Sequence, residues 1–178
     1  MYEELIFAGF GGQGIVFAGA LLAQAAMVEG KQVSGLPSYS GEIRGGASAY
    51  SLVISSEKIT SPIATELTTL IAMDSSSLIK YESLIRPQGL LLINSSLIHN
   101  KPTRTDVEII EIGATQIAND MGDTRVANMV ILGAYVTKTK IVSLTSLFVA
   151  LDYFKKATTI NKKALEEGNK LSTLWTTD

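Results

Sequence analysis

The stretch "LIFAGFGGQGIVFAGALLAQAA", residues 5–26, limits the possible folds of this chain more than any other segment. An apolar run ends in G-x-G-x-x-G at Gly9, Gly11 and Gly14 and passes directly into a second apolar run, which reads as strand, tight turn and helix in the Rossmann manner. The pattern predicts a buried strand over Glu4–Ala8 and a helix from about Gly14 to Glu29, stopped by Gly30. Apolar residues occupy nearly every side of that helix (Ile15, Val16, Phe17, Leu21, Leu22, Met27, Val28), so more than one layer should cover it. Gly19 in its interior costs roughly 1 kcal/mol relative to alanine, a cost that makes sense where another backbone approaches closely.

Glycines at such a turn let backbone N–H groups approach a phosphate, which the helix N-terminus also attracts. A nicotinamide site would further require an acidic residue at the end of the second strand, to hold the ribose hydroxyls. That region reads "KQVSGLPSYS" and carries no carboxylate. The turn alone therefore leaves two readings open, a nucleotide cradle other than NAD and a closely packed turn that binds nothing. Gln13, just before the helix, has an amide suited to backbone or ligand and no obvious part in nicotinamide binding.

Further strands are expected in "KQVSGL" (31–36), "ASAYSLVISS" (47–56), "KITSPIA" (58–64), "LTTLIAMD" (67–74), "GLLLIN" (89–94, after a Pro87–Gly89 turn) and "DVEIIEIG" (106–113). Helices are expected in "SSSLIKYESLI" (75–85), "ATQIANDMG" (114–122, stopping at Gly122), "TRVANMVILGAYVTKT" (124–139), "SLTSLFVALDYFKKA" (143–157) and "INKKALEEGNKL" (160–171). Strands that alternate with helices predict a three-layer α/β fold on a mostly parallel sheet, with a Rossmann-like first βαβ unit. With no repeat and no linker in 178 residues, the expectation is a single domain over 1–178.

Composition narrows the function. Apolar residues make up 46% of the chain and charged ones 18%, with mean hydropathy +0.25, which suggests apolar surface intended for a partner. A net charge of -2 without any basic block argues against nucleic acid. The absence of cysteine excludes a thiolate zinc site or a cysteine-held iron-sulfur cluster on this chain. The acidic start "MYEELIFAGF" is unlike a signal peptide, and the apolar runs are too short to span a membrane, so a cytoplasmic protein is expected.

A second polar, glycine-rich segment, "PSYSGEIRGG" at 37–46, holds Arg44, whose guanidinium suits a carboxylate or phosphate, beside Gly45 and Gly46. In isolation it also reads as an arginine paired with Glu42 at a surface turn. Taken together, "GFGGQGIVFAGALLAQAA" and "PSYSGEIRGGASAYSLVIS" resemble the gamma subunit of the 2-oxoacid:ferredoxin oxidoreductases, whose motifs run G-x-G-G-Q-G and S-Y-G-P-E-x-R-G-G. The resemblance continues through "KITSP", the N-M-x-x-L-G pattern at Asn128, Met129, Leu132 and Gly133, and Asn161 followed by "ALEEG". One departure is plain: Ser40 and Gly41 stand where the family usually has Gly-Pro.

The resemblance implies a gamma-domain fold and a complex that oxidatively decarboxylates a 2-oxoacid with coenzyme A to acyl-CoA and CO2; 2-oxoglutarate is the first choice of substrate, and gamma subunits for pyruvate, branched-chain oxoacids and indolepyruvate look similar. Electrons would pass to ferredoxin or a similar acceptor. It implies that alpha and beta subunits, with a delta or ferredoxin-like chain among the further partners, hold thiamine diphosphate, Mg2+ and the iron-sulfur clusters. This chain would contribute coenzyme A contacts, an assembly surface, or both, through Gly9, Gly11, Gly12, Gln13, Gly14, Arg44, Gly45 and Gly46. No catalytic or metal-ligating residue is expected on it. His99 reads as solvated, Ser38 and Tyr39 as hydrogen-bond donors without a base, Asp74 as a helix cap, and Asn128 as an interface or core amide. The alternative from another class is a stand-alone Rossmann-like nucleotide-binding protein.

Overall fold

The first apolar run becomes the centre of a sheet. In the computed structural model, which describes residues 1–39, 46–61, 64–156 and 158–171, the strands are β1 (Tyr2–Phe10), β2 (Gln32–Tyr39), β3 (Ala47–Ser55), β4 (Leu67–Ala72), β5 (Ile85–Asn94) and β6 (Glu108–Ile112). The helices are α1 (Ile15–Val28), α2 (Ser75–Tyr81), α3 (Ala114–Asp120), α4 (Ala127–Thr139), α5 (Leu144–Tyr153) and α6 (Thr159–Lys170). Single turns of 3-10 helix at Glu82–Leu84 and Thr124–Val126 follow α2 and precede α4.

The sheet order is β2-β3-β1-β4-β5-β6. Strands β1, β4, β5 and β6 are parallel, as the alternating pattern predicts, while β3 runs antiparallel to both β1 and β2. The first crossover therefore passes over β3 to reach β2. One face packs Leu5, Phe7, Leu52, Ile54, Ile71 and Leu92 against α1 and α3 to α6. The other packs Ile6, Ala8, Leu70, Ala72, Leu91 and Ile93 against α2 and connecting segments. Since α1 leaves β1 over the first face and α2 leaves β4 over the second, the order reverses between β1 and β4, a switch point of the kind beside which α/β proteins place their ligands.

Several local expectations are corrected. Residues 58–64 form no strand among those described; the carboxylate of Glu4 instead accepts the amides of Thr65 (2.7 Å) and Glu66 (3.1 Å), holding the chain just beyond as a loop. The Pro87–Gly89 turn is an irregularity inside β5, with Gln88 at φ 62 and a register shift against β4. The nearest neighbour of Gly19 is a side chain: a methyl there would strike Tyr50, whose ring Gly35 of β2 accommodates in the same way. At the far end of α1, Gly30 does stop the helix at φ 75. There Glu29 binds the Ser143 amide (2.6 Å), the Ser146 hydroxyl (2.7 Å) and Lys31 (2.6 Å). Desolvation alone would raise its pKa, but these contacts outweigh it and hold the carboxyl down at about 2.

Helix α4 is buried from Ala127 to Thr137 because α6 covers its outer side. Glycines make this contact close: a methyl on Gly133 would meet the Leu165 carbonyl, and one on Gly168 the Val130 carbonyl. Backbone cannot yield as a side chain can, so Gly168→Ala should cost about 1–3 kcal/mol by overpacking. Calorimetry should then record a melting temperature lower by about 2–4 °C per kcal/mol lost; an unchanged value would contradict the contact.

Candidate functional site

The glycine turn sits at the carboxyl end of β1, between the ends of β4 and β3. Its four residues, Gly11–Gly14, are shaped from outside as well as within. The Gly11 N–H donates to the Gly46 carbonyl at 2.8 Å, tying the turn to the last residue before β3. The two glycine segments, linked in sequence only by resemblance, are thus in contact. Arg44 and Gly45, with Glu42 beside them, lie outside the described residues, while Gly46 is buried.

Gln13 folds back over the turn. Its Oε1 accepts the Phe10 amide at 2.9 Å, and its Nε2 donates to the Met73 carbonyl at 3.4 Å, where β4 ends. Gly9 makes room for this, since a methyl there would collide with Gln13 Oε1 and Ile15. The Met73 amide in turn donates to the Ala8 carbonyl at 2.8 Å. At the end of β5, the fully buried Asn94 donates to Thr115 Oγ1 (2.8 Å) and the Met73 carbonyl (3.5 Å), and accepts the Thr115 amide (3.3 Å). A line of amide contacts thus crosses the carboxyl edge of the sheet from the turn to α3. Sequence reasoning missed Asn94, whose signal was a polar residue closing the buried run "GLLLIN".

Asn128, at the start of α4 and only 4% exposed, donates from Nδ2 to the Gly14 carbonyl at 3.0 Å. Gly14 has φ 69, and a methyl on it would strike that same amide. Gly12, at φ 102, has open space around its missing side chain. The N-cap of α1 is Gly14, which supplies no side-chain cap, so the first-turn amides of the helix have no intrahelical acceptor and present positive charge to the opening.

Three clefts meet around the turn. One of about 640 Å³ is lined by Gly9, Phe10, Asp74, Ser75 and Lys80. A second, of about 290 Å³, lies against Gly12, Gln13, Met73, Thr115 and Arg125. The third, of about 520 Å³, runs along Gly12, Gly14, Phe17, Arg125, Asn128 and Lys156. Arg125 is held by Asp123 through Nε (2.8 Å) and a terminal nitrogen (2.7 Å). The Arg125 side chain and then its amide draw the Asp123 pKa down to about 2, so the pair keeps both charges. An uncapped helix start, an exposed glycine and bordering cations fit the anionic part of a ligand. Neither Arg125 nor Lys156 stood out in the sequence, although Arg125 directly precedes "VANM".

The remaining candidates fall elsewhere. Asp74 caps α2, accepting the Ser77 amide and hydroxyl, each at 3.0 Å. His99 is exposed in the loop after β5, and Ser38 and Tyr39 are exposed at the end of β2. Because β3 separates β2 from β1, the tip of β2 is a full strand away from the position at which a dinucleotide fold holds its ribose. Among the described residues, no group of three His, Asp or Glu gathers as a metal site, and no helix is long and apolar enough to cross a membrane.

Comparison with known proteins gives a consistent result. Residues 4–171 match the family described as pyruvate ferredoxin/flavodoxin oxidoreductase. The chain is 37% identical over 162 residues to the 2-oxoglutarate synthase subunit KorC of Methanocaldococcus jannaschii, covering 89% of this chain and 87% of that one. A keto/oxoacid ferredoxin oxidoreductase gamma subunit from Geobacter sulfurreducens superposes with a TM-score of 0.82 at 31% identity, over 97% of this chain and 99% of that one. The 2-oxoglutarate:ferredoxin oxidoreductase of Magnetococcus marinus, solved with 2-oxoglutarate, coenzyme A and succinyl-CoA bound, superposes with a TM-score of 0.88 at 25% identity. That match takes in 97% of this chain but only 31% of the longer one.

The geometry of the turn makes a double-mutant prediction. Gly14→Ala forces a left-handed alanine, at a cost of about 1–2 kcal/mol, and also displaces Asn128. Denaturant unfolding of Gly14→Ala, Asn128→Ala and the double variant should therefore show a coupling of about 0.5–3 kcal/mol. Gly12→Ala, strained only in its backbone, should be additive with Asn128→Ala. Additivity at both positions would contradict the contact.

Proposed function

This chain belongs to the pyruvate ferredoxin/flavodoxin oxidoreductase family as one of its gamma subunits, and from that premise we propose that it serves a complex acting on 2-oxoglutarate. In this reading the whole chain, 1–178, acts as one cytoplasmic domain. It assembles with alpha and beta subunits, and with a delta or ferredoxin-like chain, that carry thiamine diphosphate, Mg2+ and the iron-sulfur clusters. The complex converts the 2-oxoacid and coenzyme A to acyl-CoA and CO2 and passes electrons to ferredoxin. The similarity to a 2-oxoglutarate synthase subunit supports the substrate.

The contribution of this chain is to hold coenzyme A, whose thiol supplies the acyl acceptor. The observation that carries the reading is the contact between the two glycine segments, the Gly11 amide on the Gly46 carbonyl, beside an uncapped helix start. Gly12 and Gly14 would offer backbone amides to the diphosphate, with Gly9, Gly11 and Gln13 keeping the turn open. Arg44, beside Gly45 and Gly46, would grip a phosphate as a bidentate donor. The complex from Magnetococcus marinus binds coenzyme A and succinyl-CoA, which agrees with such a role. An assembly role for the same edge is favoured by Phe10, which leaves 40% of its surface exposed next to the turn.

Titration calorimetry of coenzyme A against the reconstituted complex separates the two roles. Arg44→Ala should weaken binding by about tenfold or more, as expected for the loss of a charge-assisted hydrogen bond. A mutant that binds coenzyme A normally but fails to assemble would assign the segment to subunit packing and end the ligand reading.

A further inference from the structure

The N-M-x-x-L-G pattern at the start of α4 has no task in the reading above, although its first residue reaches the glycine turn. We propose that Asn128 is a positioning residue for coenzyme A: by holding the Gly14 carbonyl it sets the direction of the first amides of α1. This inference rests on the ligand reading of the turn. Three observations carry it.

Asn128 is almost completely buried, and its single hydrogen bond to described residues is spent on the turn, not on its own helix or on α6. The Gly14 carbonyl can only accept, so Nδ2 must face it and the orientation of the amide is determined. Gly14 sits at φ 69, where the amide fills the place of a missing methyl, so side chain and turn fit one shape.

The support behind Asn128 is rigid. Gly133 and Gly168 bring the backbones of α4 and α6 into contact, which leaves α4 little freedom to shift. With Gln13 fixing the other end of the turn on Met73, the loop is held at both sides before any ligand arrives. Such preorganisation lowers the cost of binding.

The test uses the reconstituted complex with Asn128→Leu, close in size but without a donor, and Asn128→Asp, which keeps the shape and loses the donor. Steady-state kinetics should show KM for coenzyme A raised about tenfold, as for the loss of a hydrogen bond. KM for the 2-oxoacid should stay unchanged and kcat should remain within about twofold, because the loss falls on ground-state binding. Asn128→Ser, which retains a hydroxyl donor, should recover part of the effect. A complex that assembles with an unchanged KM for coenzyme A overturns the proposal, as does an equal rise for both substrates. Failure of both variants to enter the complex assigns Asn128 to folding alone and overturns it too. Arg44→Ala, measured alongside, tells the two failures apart. If it weakens coenzyme A binding while Asn128→Leu does not, only the positioning role is wrong; if neither has an effect, the ligand reading itself fails.

Discussion

The hydrogen bond from Asn128 Nδ2 to the Gly14 carbonyl, 3.0 Å long, joins residues 114 positions apart and ties the start of α4 to the N-cap of α1. Only four residues separate the end of β1 from the first helix, and Gly14, lacking a side chain, cannot cap it. The turn is shaped from outside, by Asn128 on α4, by Met73 at the end of β4 through Gln13, and by Gly46 at the start of β3. Elements distant in sequence therefore converge on one surface opening, and the α4–α6 glycine contact gives that convergence a firm base.

The same arrangement explains why a dinucleotide-like spacing need not imply a dinucleotide. A nicotinamide fold places β2 beside β1, so that an acid at its tip reaches the ribose. Here β3 occupies that position, antiparallel, and Gly46, just before it, meets the turn instead. The switch point between β1 and β4 is kept, along with the helix start that attracts an anion. What changes is the neighbour of the turn: the Gly46 carbonyl in place of a carboxylate.

Much of the local structure was legible in the sequence. The unbroken run "LIFA", Gly30 at the end of α1 and Gly122 at the end of α3 specify elements through short-range chemistry, and each appears where expected. Residues 58–64 misled because a strand needs a partner, and the neighbouring amides are taken by the Glu4 carboxylate. The place of β2 outside β3 depends on long-range pairing that no local pattern encodes. Gly19 was correctly read as a point of close approach, but the approaching group is an aromatic ring supplied by β3. At the site, the turn and Gln13 were visible as a motif, whereas Asn94, Arg125 and Lys156 acquire meaning only when the chain folds around the edge of the sheet.

Hydrogen–deuterium exchange on the assembled complex, with and without coenzyme A, tests the central claim most directly, because it reads the turn amides themselves. The account predicts that coenzyme A slows exchange in the peptide covering residues 11–17, where the first amides of α1 lack an intrahelical acceptor. Unchanged exchange there, in a complex that turns over coenzyme A, would contradict it.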